Sequence, residues 1–121
     1  MKYCLVVDDS SVIRKVARRI LEGCGYRVDE AEGGLEALNM CRMAMPDAVL
    51  LDWNIPETDT SDWLRKLRAM PGGSEPRVVL CTTENDVTTI ARAMHAGASD
   101  YMMKPFDREQ FEAKFQQRRP I

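Results

Sequence analysis

Pro46-Asp47-Ala48-Val49-Leu50-Leu51-Asp52-Trp53-Asn54-Ile55-Pro56 is an apolar run that stops on a carboxylate. Ala48 to Leu51 does not alternate polar and apolar residues, and prolines bracket the run. That predicts a central strand covered on both faces, as in parallel α/β sheets. Such sheets bind ligands at the carboxyl ends of their strands. Asp52 therefore stands where a site is expected, and the other strand ends should supply its neighbours.

Upstream, residues 2–8 (KYCLVVD) read as a first buried strand ending on Asp8-Asp9. Val12, Ile13, Val16, Ala17, Ile20 and Leu21 then recur at helical spacing, with Asp9 or Ser10 as the cap and Gly23 and Gly25 closing the helix. A short strand over 27–30 and a helix over about 34–45 follow, the helix carrying Leu35, Leu38, Cys41 and Met45 on one stripe. Downstream of Asp52, a loop over 54–60 leads to a helix marked by Trp63, Leu64, Leu67 and Met70, which Pro71-Gly72-Gly73 ends. RVVLCT at 77–82 is another buried strand, leading through Thr83 and Glu84 to a helix over about 86–96 that Gly97 terminates. The last strand, 99–103, runs into Lys104-Pro105, and Asp107 opens a final helix with Phe111 and Phe115 inward. Five βα repeats predict a doubly wound parallel sheet with helices on both faces.

A chain of 121 residues is expected to form one domain, 1–121, around one core. With 17 basic and 19 acidic residues its net charge is -2, which argues against nucleic acid or anionic membrane as the main partner. Arg118-Arg119 is too short a basic tail to change that. Cys4, Cys24, Cys41 and Cys81 show no metal-ligand spacing and read as free thiols of a reducing compartment. The five-residue apolar run from Tyr3 to Val7 is neither signal peptide nor transmembrane helix, so a cytoplasmic protein is expected. No large apolar helix face looks spare, which favours a monomer.

The strand ends bring together Asp8 and Asp9, Asp52, Thr82 and Lys104. Three clustered carboxylates are tolerated best around a divalent cation, and oxygen ligands favour Mg²⁺ or Mn²⁺ over zinc. His95, the sole histidine, lies on the fourth helix away from any cysteine and reads as a surface residue. A metal with open positions also accepts an anion, and Lys104 and Thr82 suit phosphate oxygens. Asp52 would then be the nucleophile that takes up a phosphoryl group. Each aspartate alone could be a helix cap; the joint pattern points to a site.

With these residues in place the chain resembles the receiver domain of two-component response regulators, most closely the stand-alone CheY-like kind, over essentially its whole length. The resemblance rests on VVDDS at 6–10, LLDWNIP at 50–56, Thr82-Thr83-Glu84 and GASDYMMKPF at 97–106. It implies a flavodoxin-like (βα)5 fold with strand order 2-1-3-4-5 and a phosphoacceptor at Asp52. It further implies that Mg²⁺ is held by Asp9, Asp52 and the Asn54 carbonyl, with Asp8 acting through water. Thr82 and Lys104 would contact the phosphoryl group, Thr82 and Tyr101 would form the switch, and Lys104-Pro105 would be cis, while Thr83 adds a phosphate-binding hydroxyl of this chain's own. A sensor histidine kinase or histidine phosphotransfer protein is the implied donor, and a downstream protein binding the surface of the fourth helix, fifth strand and fifth helix is the implied target. The chain departs from the family at Glu57-Thr58-Asp59-Thr60, where Met-Asp-Gly is usual, and at Thr83, where a small alanine is usual.

Two other readings compete. A small Mg²⁺-dependent phosphatase with an aspartyl nucleophile needs a second Asp two residues on, where this chain has Asn54. A flavin carrier needs a Ser/Thr/Gly-rich loop after the first strand, where Asp8-Asp9-Ser10 would repel the flavin phosphate.

Overall fold

The computed structural model describes residues 1–83 and 87–115. Five strands, β1 (Lys2–Val7), β2 (Tyr26–Ala31), β3 (Ala48–Asp52), β4 (Arg77–Thr82) and β5 (Asp100–Met103), form one parallel sheet in the order β2-β1-β3-β4-β5. The helices between and after them are α1 (Ser11–Gly23), α2 (Gly34–Met43), α3 (Thr60–Ala69), α4 (Val87–Ala96) and α5 (Arg108–Phe115). This is the expected doubly wound fold; the Asp86 start anticipated for α4 lies outside the described residues.

Alternation along each strand divides the core in two. Leu5, Val7, Val49, Leu51, Val78 and Leu80 face one layer, where Leu38, Cys41, Trp63, Leu64, Leu67 and Ala93 cover them. Cys4, Val6, Leu50, Val79 and Cys81 face the other, under Ala17, Leu21, Phe111 and Phe115. So α2, α3 and α4 pack on one face, α1 and α5 on the other. β3, the middle strand, is buried at every residue, which is why its sequence is apolar without alternation.

Two helical stripes differ from the sequence reading. Leu35 is 73% exposed, and the buried side of α2 is Gly34, Ala37, Leu38 and Cys41. The helix ends at Met43, because Ala44 is extended and Met45 precedes a proline that disfavours helical backbone. On α1 only Ala17 and Leu21 are fully buried, and Val12 and Val16 are exposed, so this helix does carry spare apolar surface. Ser10 is the α1 cap, accepting from the Ile13 N–H, and Gly25 turns the chain away with φ of 94°.

All four cysteines are free; Cys24 is half-buried and the other three are buried. Burial pushes the Cys41 thiol up to about 11 and the Cys81 thiol up to about 12, and raises those of Cys4 and Cys24 as well. Because the thiolate is the reactive form, a disulfide reagent should titrate Cys24 alone in native buffer, slowly at neutral pH, and all four in guanidinium. Rapid labelling of Cys81 in the native protein would contradict this packing.

Candidate functional site

Register sets the site. Val7 pairs with Leu51, so the next residues, Asp8 and Asp52, stand side by side at the carboxyl edge of the sheet. Asp9 follows in the loop to α1. Carboxylate oxygens of Asp8, Asp9 and Asp52 lie within 4.8 Å of one another, with Asp8 and Asp52 buried and Asp9 exposed. The Lys104 Nζ reaches in from the end of β5, donating to Asp8 Oδ2 at 3.1 Å and Asp52 Oδ1 at 3.2 Å. Its backbone N–H donates to the Thr82 carbonyl at 2.8 Å, and the bond to Pro105 is cis, as expected. The Asn54 N–H donates to Asp52 Oδ1 at 3.3 Å. Thr82 is fully buried at the end of β4, and Thr83 follows it, exposed. Glu84 lies outside the described residues.

Three carboxylates face one ammonium. Burial first, then the neighbouring Asp8, raise the Asp52 pKa, against the opposing pull of Lys104 and the Asn54 N–H. Burial would lower the Lys104 pKa, yet the Asp52 and Asp8 carboxylates outweigh it and hold the proton on the amine. The Asp8 contribution to Asp52 and the raised Lys104 both reflect the negative charge gathered at the site. An all-oxygen donor set of this kind fits a hard divalent cation such as Mg²⁺ and lacks the softer ligands zinc favours.

The acids are held from behind by residues that carry no motif signal. Asp8 Oδ1 accepts the Ser10 N–H at 2.9 Å, and its carbonyl accepts from Arg14 Nη1 at 2.8 Å. Arg14 Nε is in turn 3.0 Å from Glu30, at the end of β2, which also binds Arg18 at 2.6 Å. Only the apolar spacing around Arg14 was legible in sequence, not its reach back to the strand end. On the far side of Asp52, the Thr60 hydroxyl donates to the Trp53 carbonyl at 2.8 Å and Asp59 caps α3. Glu57 takes the left-handed conformation, with φ of 59°, and so makes the turn without a glycine.

Tyr101, on β5, is 37% exposed, with Lys114 Nζ 5.6 Å from its ring centre. Lys114 also pairs with Asp100 at 2.9 Å, beside Arg77 at 3.1 Å. Burial opposes ionisation of Asp100, but hydrogen bonds from Lys114 and the Tyr101 N–H, and the charges of Lys114 and Arg77, keep its pKa low. His95 is exposed, as expected.

A family described as the response regulator receiver domain matches residues 4–116. The chain belongs to the response regulator receiver domains. Receiver domains are signalling modules of two-component systems rather than classical enzymes, and they act with histidine kinases and downstream effectors. This receiver is 37% identical over 110 residues to response regulator MprA of Mycobacterium sp. strain KMS, covering 91% of the chain but 47% of that protein. It thus spans about half the length of the curated relatives it matches. Its fold is similar to that of the chemotaxis response regulator CheY4 of Vibrio cholerae, with TM-score 0.88, 28% identity and coverage of 93% and 94% of the two chains. It is also similar to the signal receiver domain of a histidine kinase from Syntrophus aciditrophicus, with TM-score 0.82, 27% identity and coverage of 93% and 86%. No helix among the described residues of this receiver is long and apolar enough to cross a membrane.

Proposed function

We propose that this receiver accepts a phosphoryl group on Asp52 from a histidine kinase or histidine phosphotransfer protein and passes the signal to a partner through α4, β5 and α5. The observation that carries the reading is the single ammonium of Lys104 shared between Asp8 and Asp52, beside a third carboxylate on Asp9. Such a cluster is suited to assembling charge around an incoming phosphoryl group. Asp9, Asp52 and the Asn54 carbonyl would hold Mg²⁺, with Asp8 contributing through water. The ion, when bound, supplies charge neutralisation to the phosphoryl oxygens.

The remaining chemistry belongs to the chain. An Asp52 carboxylate oxygen attacks phosphorus, the phosphorus–nitrogen bond of the donor imidazole breaks, and its electron pair leaves with the ring. Asp52 becomes a mixed anhydride. Lys104 exchanges a carboxylate partner for a phosphoryl oxygen, and Thr82, one residue beyond the register partner of Asp52, is placed to donate a charge-assisted hydrogen bond. Thr83 offers a second hydroxyl nearby. Treatment with acetyl phosphate and Mg²⁺ tests the reading. A phosphoryl adduct lost in alkali is the expected result; steady phosphate release without an adduct would favour the phosphatase instead.

The output step rests on Thr82 and Tyr101. Pull on Thr82 by the phosphoryl group would free volume beside β4, and Tyr101, half out in solvent, would turn into it as a population shift of a few kcal/mol. Thr82→Ala should therefore still accept phosphate, more slowly, yet leave Tyr101 unmoved. NMR shifts of Tyr101 and of residues 87–103 on adding beryllofluoride measure this. Equal shifts in wild type and Thr82→Ala would end the coupled-switch account.

A further inference from the structure

We infer that the groove between the start of α2 and the loop into α3 is a docking site for a partner-protein segment that presents a lysine or arginine beside an aliphatic side chain. The groove has a volume of about 190 Å³ and is lined by Leu35, Leu38 and Trp63 on its apolar side and by Glu57, Asp59 and Asp62 on the other. Leu35, 73% exposed, is a large apolar side chain with no cover, while Leu38 and Trp63 continue the apolar lining into the core. Three acids against Lys66 leave the rim negative, and Lys66 is already paired with Asp62 at 3.0 Å. An acidic rim over an apolar floor complements a long cationic side chain, whose methylene stem needs apolar contact while its head needs a carboxylate.

The walls are fixed before anything binds. The Trp63 indole N–H donates to the Gly34 carbonyl at 2.8 Å, which ties α3 to α2. Thr58 packs so close to Gly34 that an added Cβ would come within 2.7 Å of it. Glu57 is held in a left-handed conformation that costs a non-glycine residue about 1 kcal/mol, and such strain persists where surroundings enforce it. A preformed groove of this kind loses little entropy on binding. The inference stands whether or not Asp52 is phosphorylated.

Amide NMR of the full chain, titrated with acetyl-Lys-Leu-Arg-Leu-Lys-amide and separately with acetyl-Glu-Leu-Glu-Leu-Glu-amide, tests the assignment. The basic peptide should give saturable shifts centred on residues 34–38 and 57–66, and the acidic peptide none. Leu35→Ser should weaken binding about tenfold or more by removing the buried leucine contact, and Glu57→Gln about two- to fivefold. Both positions are exposed, so thermal melts should match wild type. No saturable shift in the millimolar range, equal binding of both peptides, shifts spread over the acidic surface, unweakened binding by Leu35→Ser, or self-association through this face would each overturn the proposal.

Discussion

Asp52→Asn should take up no phosphoryl group from acetyl phosphate, while folding as the wild type does. The side chain keeps its volume and an oxygen that can still accept from Lys104 and the Asn54 N–H, the two partners seen for Asp52. What it loses is the proposed anionic nucleophile, so adduct formation should fall to undetectable rather than by a fraction. Intact mass after treatment with acetyl phosphate and Mg²⁺ measures the loss. The variant also has a stability signature in EDTA. Because the folded-state pKa of Asp52 is raised by burial and by Asp8, wild type carries stability below the ordinary carboxylate range that it loses as pH rises through the raised value. The asparagine has no such loss, so its melting temperature should gain on wild type across that window. A full-yield adduct on the variant would remove Asp52 from the chemistry.

Arg68→Ala is the second large effect, and it falls on stability. From α3 the guanidinium donates to the Gly97 carbonyl from Nε at 2.9 Å and Nη2 at 2.6 Å, and to the Gly73 and Pro76 carbonyls from Nη1 at 3.0 and 2.7 Å. One side chain thus fastens the end of α3, the approach to β4 and the turn from α4 to β5. Gly97 has φ of 128°, and a Cβ there would meet the Arg68 stem at 2.8 Å, so the turn and the arginine fit each other. Charge-assisted bonds contribute about 1.5–3 kcal/mol each and their loss strands half-buried carbonyls. Allowing for water reaching some of them, Arg68→Ala should cost about 2–4 kcal/mol in urea unfolding. Arg68→Lys should recover part of it. A loss below about 0.5 kcal/mol, the scale of an ordinary surface substitution, would show that the clamp contributes nothing.

Much of this molecule was legible in its sequence because local and global signals agree. The buried run Ala48–Asp52 is the observed β3, residue for residue, and the strand ends named from sequence converge through register. Lys104 was found because its place after a strand is a position in the chain. Arg68 is not legible in this way, because four of its five hydrogen bonds among the described residues go to backbone carbonyls, which no residue type announces. Leu35 lies outside the core for a related reason: spacing says which residues share a helical face, but only packing decides which of two adjacent apolar stripes is covered. Thr58 and Trp63 draw α2 in so that Gly34, Ala37, Leu38 and Cys41 meet the core. Leu35 is left outside, where the proposed docking groove begins.

Borohydride reduction after phosphorylation reaches the central claim most directly, since it converts a phosphoaspartate to homoserine at the residue that carried the phosphoryl group. After treatment with acetyl phosphate and Mg²⁺, peptide mapping should find homoserine at position 52 and nowhere else, and none when EDTA replaces Mg²⁺. Homoserine at position 8 or 9, or its absence from a chain that carries an adduct, would contradict the account.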